Sequence, residues 1–220
     1  MNTDNITLSG ETIDYGPCAF MNQYNPKQVF SSIDYSGRYS FINQSRLMQW
    51  NLARFAETLI PLISDDKQKS IVLATNVIEE FDDIFNQKWL NMMKKKLGLF
   101  GVFDEDKKII DDLLFLMKKY SIDYTNTFSH LTSQNFPKNK FFNSRDFKNW
   151  NLRWKKRLKK NNENKESIFK MMGSVNPEII PRNKLIESIL EDVCKQKYNS
   201  MTDFLSTFSK YLGNIFGWYK

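Results

Sequence analysis

Between residues 45 and 212 apolar side chains return at every third or fourth position, segment after segment, and strict β-alternation does not recur beyond the first twenty residues. A chain patterned this way hides its apolar surface by packing helices on helices. Helices are predicted from a cap at Ser45 into Pro61, and over 70–86, 87–99, 105–120, 123–132, 145–160, 183–197 and 202–212. In the first of them Leu47, Trp50, Ala53 and Leu59 share a face, so Trp50 is expected in the core. Gly213 reads as the stop signal of the last one.

With 220 residues, 41% hydrophobic and 15% aromatic, the chain can form one substantial core. No stretch approaches the roughly 18 uncharged apolar residues of a membrane span, and the first residues carry Asp4 rather than a basic, then apolar, leader. A soluble, cytoplasmic protein without a membrane partner is expected. Its two cysteines, Cys18 and Cys194, form neither a disulfide framework nor a Cys-x-x-Cys metal site, which suits a reducing compartment.

The first twenty residues are different in kind, concentrating carboxylate and amide oxygens beside glycines. Folding 6–8 onto 11–13 about a Ser9-Gly10 turn sets Ile6 opposite Ile13 and Asn5 opposite Asp14. Opposed residues sit roughly 5 Å apart at Cβ, so one amide and one carboxylate could share a hard cation, with Asp4 next door as a further carboxylate. The same residues also make up an ordinary solvated N-terminal turn, and at this point both readings stand. An EF-hand loop is disfavoured, because its alternation of oxygen ligands, central Gly and closing Glu does not appear here.

Residues 20–43 carry turn residues among aromatics and read as an ordered loop lying against a core, with Arg38 in a structural role. His130 is the only histidine and has no second ligand or nucleophile motif beside it, which favours a structural place. The Met pairs Met92-Met93 and Met171-Met172 sit at helical positions and read as core filler. The net charge of +7 is local. Residues 138–165 hold eleven Lys/Arg against Asp146 and Glu163, about +9, which leaves the remainder near −2. A solvated helix end and loop explains this patch most simply, and binding of an acidic protein or RNA is the alternative.

Several separated motifs in one order resemble the selenoprotein O family. They are Asn2-Thr3-Asp4-Asn5, Thr12-Ile13-Asp14-Tyr15-Gly16-Pro17, Phe30-Ser31-Ser32-Ile33-Asp34 with Gly37-Arg38-Tyr39, Trp50-Asn51-Leu52-Ala53-Arg54, and Val175-Asn176-Pro177 with Pro181-Arg182-Asn183. The resemblance runs from Met1 to about Leu190. It implies a protein-kinase-like fold that binds ATP in the reversed sense and transfers AMP to Ser, Thr or Tyr hydroxyls of proteins. Matched residue by residue, Asp4 is the expected proton acceptor, Asn5 and Asp14 are the expected magnesium or manganese ligands, and Asp14 also faces ATP.

The family's Gly-rich nucleotide loop, phosphate-binding lysine and paired acidic residue have no counterpart in these 220 residues. Nor has the His-Gly-Val that precedes the Asn-Thr-Asp-Asn motif, or the cysteine- or selenocysteine-bearing tail. The expected architecture is therefore a mainly α, C-lobe-like part of a kinase-like fold: a catalytic-loop and metal-site hairpin over 1–20, an ordered loop over 21–44 and a helical lobe over 45–220. The expected function is that of a protein adenylyltransferase fragment that is weak or inactive alone, either a fragment of a split or decayed gene or a separately translated piece that a separately encoded N-terminal half would complement. The alternative is a non-catalytic helical module using 138–165.

Overall fold

The computed structural model describes residues 2–10 and 19–216, with side chains through residue 209. Among the described residues there are nine α-helices, two 3-10 turns and no strand, the one backbone bridge being Gln23 with Asp123. The mainly helical class expected from the periodicity is what forms. The described residues divide into two compact units, one of 2–10 and 25–91, the other of 19–24 and 92–216.

The first unit is built on α1 (Gln44–Ile63) and α2 (Lys67–Glu79), which pack side by side across a short link. Asp66 starts α2 by accepting from the backbone N–H of Gln68 at 2.8 Å and of Lys69 at 3.2 Å, so two orphan donors of the first turn are satisfied. The α1 start falls at Asn43 rather than Ser45, because a 3-10 turn over Phe41–Asn43 feeds straight into the helix. Before it, the loop is ordered by its own turn chemistry. The Asp34 carboxylate accepts from the N–H of Arg38 and Tyr39, and Gly37 takes the left-handed φ of +69° that this bend requires. Trp50 departs from its expected core position: it is 43% exposed, while Leu47 and Asn51 are the buried residues of α1.

α3 (Phe81–Lys96) begins six residues earlier than the predicted 87–99. Asp82 and Asp83 in its first turn and three lysines in its last complement the helix dipole, and Asn86, expected as a boundary, lies mid-helix.

In the second unit α4 (Glu105–Lys119) packs on α6 (Arg145–Leu158), and α5 (Tyr124–Ser133) on α7 (Lys165–Val175). Then α8 (Asn183–Cys194) and α9 (Asn199–Phe216) lie against each other, and α9 also reaches α7. Trp150 and Trp154 sit one helical turn apart, stacked at 5.6 Å, and both are fully buried. Their indole N–H groups donate to Ile109 O and Leu97 O, each at 2.8 Å, so their burial leaves no donor unmade. Close packing at the end of α3 depends on Gly98: at φ +69°, a Cβ there would lie 2.6 Å from Ile168 Cγ2 and 2.9 Å from Met172 Sδ. The helix α7 was not foreseen, and α9 continues through Gly213 to Phe216 instead of stopping there.

Candidate functional site

Asp4 and Asn5 lie in a single 3-10 turn, Thr3–Asn5, closed by Asn5 N–H donating to Asn2 O at 3.0 Å. The turn is anchored by the Tyr39 hydroxyl, which donates to Asn2 Oδ1 at 2.6 Å, so the ordered loop positions the start of the chain. Both Asp4 and Asn5 are exposed, and no hydrogen bond or ion pair engages the Asp4 carboxylate among the described residues. Ile6 follows in an extended conformation, the chain turns at Leu8-Ser9, and Gly10 adopts φ +72°. The bend falls one residue earlier than the Ser9-Gly10 turn read from the sequence. Residues 6–8 form no strand; their expected partners at 11–13, and Asp14 with them, lie outside the described residues.

Against this turn opens a cavity of about 430 Å³, bounded by Thr3, Ile6 and Leu8 on one side and by α1 on the other. Met48, Leu52 and Phe55 supply apolar wall, and Asn51, Arg54 and Thr58 the polar groups. Arg54 is already engaged, 2.5 Å from Glu57 and over the Trp50 ring. Arg38 lies over the same indole at 4.9 Å, which gives that arginine its structural role and explains how an exposed Trp50 is held.

Among the described residues no cluster of three His, Cys, Asp or Glu side chains is placed to hold a metal. The donor set at Asp4 and Asn5, a carboxylate and a carboxamide exposed on one turn, is all oxygen and fits a hard cation such as magnesium or manganese as part of a shell.

The basic stretch 138–165 is less of a patch in space than in sequence. Arg157 is 1% exposed, its guanidinium bound to Asp106, to Phe100 O and to Asn161 Oδ1, with the Phe103 ring 4.0 Å away. Arg153 pairs with Asp112 at 2.7 Å and Lys160 with Glu105 at 2.6 Å. Lys119, outside the stretch, meets Asp146 within it. That contact, with the Tyr120 hydroxyl, holds the Asp146 carboxyl below its ordinary range. His130 packs edge-on to Phe142 at 5.5 Å. Of the two Met pairs expected in the core, Met93 and Met172 are fully buried, whereas Met92 is 44% exposed and Met171 half-buried, because neighbours in a helix point in different directions.

The motifs around Asn176 and Arg182 turn out to be joints. The Asn176 carboxamide donates to Lys96 O at 2.8 Å and to Thr132 Oγ1 at 3.0 Å, tying the end of α7 to α3 and α5. Arg182 grips Asp123 through both terminal nitrogens, at 2.7 and 3.1 Å, and also donates to Asn22 Oδ1. Asn22 in turn accepts the Tyr124 N–H, so residues 22–24 are pinned to the start of α5. Lys96 is buried with its ammonium 4.6 Å from the Phe128 ring centre, and desolvation lowers its pKa to about 8. Burial likewise pushes the Tyr124 phenol well above its ordinary value, and Tyr24, stacked on it at 5.7 Å, in the same direction.

None of these joints was assigned from the sequence. The signal that could have found them was their place at helix ends, Asn176 directly after α7 and Arg182 directly before α8.

The described residues are mainly helical and carry Asp4 and Asn5 exposed on one anchored turn. The family model described as protein adenylyltransferase SelO matches residues 1–211, and the chain belongs to that family. Similar proteins include the protein nucleotidyltransferase YdiU of Clostridium botulinum strain Alaska E43, 48% identical over 93% of this chain and 42% of that protein. Those of Nitrosococcus oceani and Bacillus cereus strain G9842 are each 46% identical, over 94% and 95% of this chain and 43% of each relative. The chain thus spans less than half the length of these curated relatives.

Proposed function

We propose that the chain forms the catalytic-loop and helical C-lobe part of a protein adenylyltransferase, moving AMP from ATP to Ser, Thr or Tyr hydroxyls of proteins. The observation that carries this is the position of Asp4. It is an exposed carboxylate without a partner among the described residues, on a turn anchored by Tyr39, within a chain whose family match starts at residue 1.

In the reaction the acceptor hydroxyl oxygen forms a bond to the α-phosphorus of ATP as the bond to pyrophosphate breaks, and its proton passes to the Asp4 carboxylate. Asn5 and Asp14 are the residues that would hold a divalent cation, which when bound offsets the triphosphate charge. The turn Thr3–Asn5 fixes the backbone that carries Asp4, and the bond from Tyr39 to Asn2 ties that turn to the ordered loop. None of these 220 residues matches the glycine loop and lysine that grip ATP in the family, so the proposal is tested with those elements supplied.

The test is transfer of label from α-labelled ATP to acceptor proteins by this chain combined with a polypeptide carrying those elements. Label on hydroxyl side chains, lost with Asp4→Ala while the complex still forms, is the expected result. A confirmed complex that transfers nothing, or an Asp4→Ala complex of full activity, overturns the proposal.

A further inference from the structure

Once the internal ion pairs of residues 138–165 are set aside, the cations that remain are not scattered. Lys148, Leu152, Lys155 and Lys159 follow one another along α6 at spacings of four, three and four, on a different side from the buried Phe147, Trp150 and Trp154. Lys148, Lys155 and Lys159 have no ion pair among the described residues, and neither has Lys165 at the start of α7. Leu152, set among these charges, is 68% exposed.

This face runs into a cavity of about 420 Å³ where the end of α6 meets the start of α7. Lys155, Lys159 and Lys165 line it together with Leu158, Ile168 and Phe169, and Glu163 is the one carboxylate of the described lining. A solvated helix end explains part of this, since cations in the last turn of α6 complement its dipole. It does not explain Lys165, which opens α7 where the dipole disfavours a cation, or the mutual repulsion of Lys155 and Lys159 four residues apart. Three cations against one anion around an apolar recess form a field that attracts an anion carrying apolar surface.

We propose that this cavity and the lysine face leading to it bind an acidic segment of a partner protein. An aliphatic or aromatic side chain of the segment enters among Leu158, Ile168 and Phe169, and carboxylates on either side of it pair with Lys155, Lys159 and Lys165. Nucleic acid is the poorer match. The arginines of α6 that would offer phosphate a planar fork, Arg153 and Arg157, are turned to Asp112 and Asp106. The exposed apolar group of the face is Leu152, which gives a base no ring to stack on, and Phe169 is half-buried. All of these residues belong to the second unit, and none of them enters the chemistry proposed for Asp4.

The experiment titrates the 220-residue chain into fluorescent peptides of Asp and Glu with one central Leu or Phe, at low ionic strength. Binding that weakens as salt is added is expected, together with a loss of about tenfold when the central residue is Ser. Lys155→Gln, Lys159→Gln and Lys165→Gln combined weaken binding about tenfold or more. Lys69→Gln, Lys88→Gln and Lys197→Gln, which remove the same charge from exposed positions elsewhere, leave it unchanged. Thermal unfolding of both triple variants confirms that they fold, and the Leu-to-Ser comparison within the peptides needs no variant of the chain.

Absence of binding by the acidic peptides overturns the proposal. Equal binding with Ser at the centre does so too, because the cavity is then unused, as does an equal loss from the two triple variants, which reduces the attraction to net charge. Single-stranded RNA that binds more tightly than the peptides, through the same three lysines, gives the face to nucleic acid and overturns it as well.

Discussion

Arg157 meets the Asp106 carboxylate with two nitrogens, Nε to Oδ1 at 2.6 Å and Nη2 to Oδ2 at 3.1 Å, and both side chains are almost wholly buried. Lys94 adds a third contact to the same carboxylate at 3.3 Å. A charge that basic composition alone would assign to the surface is thus the joint between α6 and α4.

Breaking that joint from one side strands a buried charge. Asp106→Asn or Arg157→Met is expected to lower stability by about 3–5 kcal/mol, while replacing both by apolar residues of similar volume loses much less. Urea unfolding of the two single variants and the double variant checks this, and near-additive losses would contradict it.

Lys96 gives a pH signature. Its folded pKa of about 8 lies below the unfolded value near 10.5, so between these pH values the unfolded chain binds the extra proton and stability rises with pH. Below pH 8 the buried charge opposes folding by about 3 kcal/mol, roughly 1.36 kcal/mol for each pKa unit. Lys96→Met is therefore expected to be more stable than the parent at pH 7, with the gap closing towards pH 10. Denaturation series from pH 7 to pH 9.5 suffice. Above pH 10 the raised phenols of Tyr24 and Tyr124 act the other way, since the unfolded chain ionises first and stability falls.

Gly98→Ala combines a left-handed backbone angle with a Cβ placed 2.6 Å from Ile168 Cγ2. A loss of about 2–4 kcal/mol is expected, because α7 must move away or the turn must open. Thermal unfolding measures it, and Ile168→Ala in the same background should recover part of the loss.

Mg-ATP is expected to bind the 220-residue chain alone weakly or not at all, since none of these residues matches the family's Gly-rich loop or phosphate-binding lysine. Calorimetry showing micromolar affinity that Asp14→Ala abolishes would contradict this expectation.

The helical class was legible because period 3.6 is a local property, and the starts of α4, α5 and α6 were readable within a residue from their acidic or Ser caps. α7 had a comparable signal, Asn164 accepting from Ser167 N–H at 2.8 Å ahead of Ile168 and Met172, but Gly173 and Ser174 obscured it. Trp50 was misplaced because helical spacing tells which residues share a face and not which face is covered. Two guanidiniums hold it at the surface instead.

What the sequence determined by itself is therefore the helical periodicity and the family motifs, because each is written in neighbouring positions, and the motifs are what make Asp4, Asn5 and Asp14 candidates. The tertiary structure alone decided which charges are buried and which polar groups are left without partners. Arg157 finds Asp106 fifty-one positions away, and Asn51 is enclosed in the lining of a cavity whose opposite side comes from residues 3–8. Burial and pairing depend on contacts between distant segments, which no local pattern specifies.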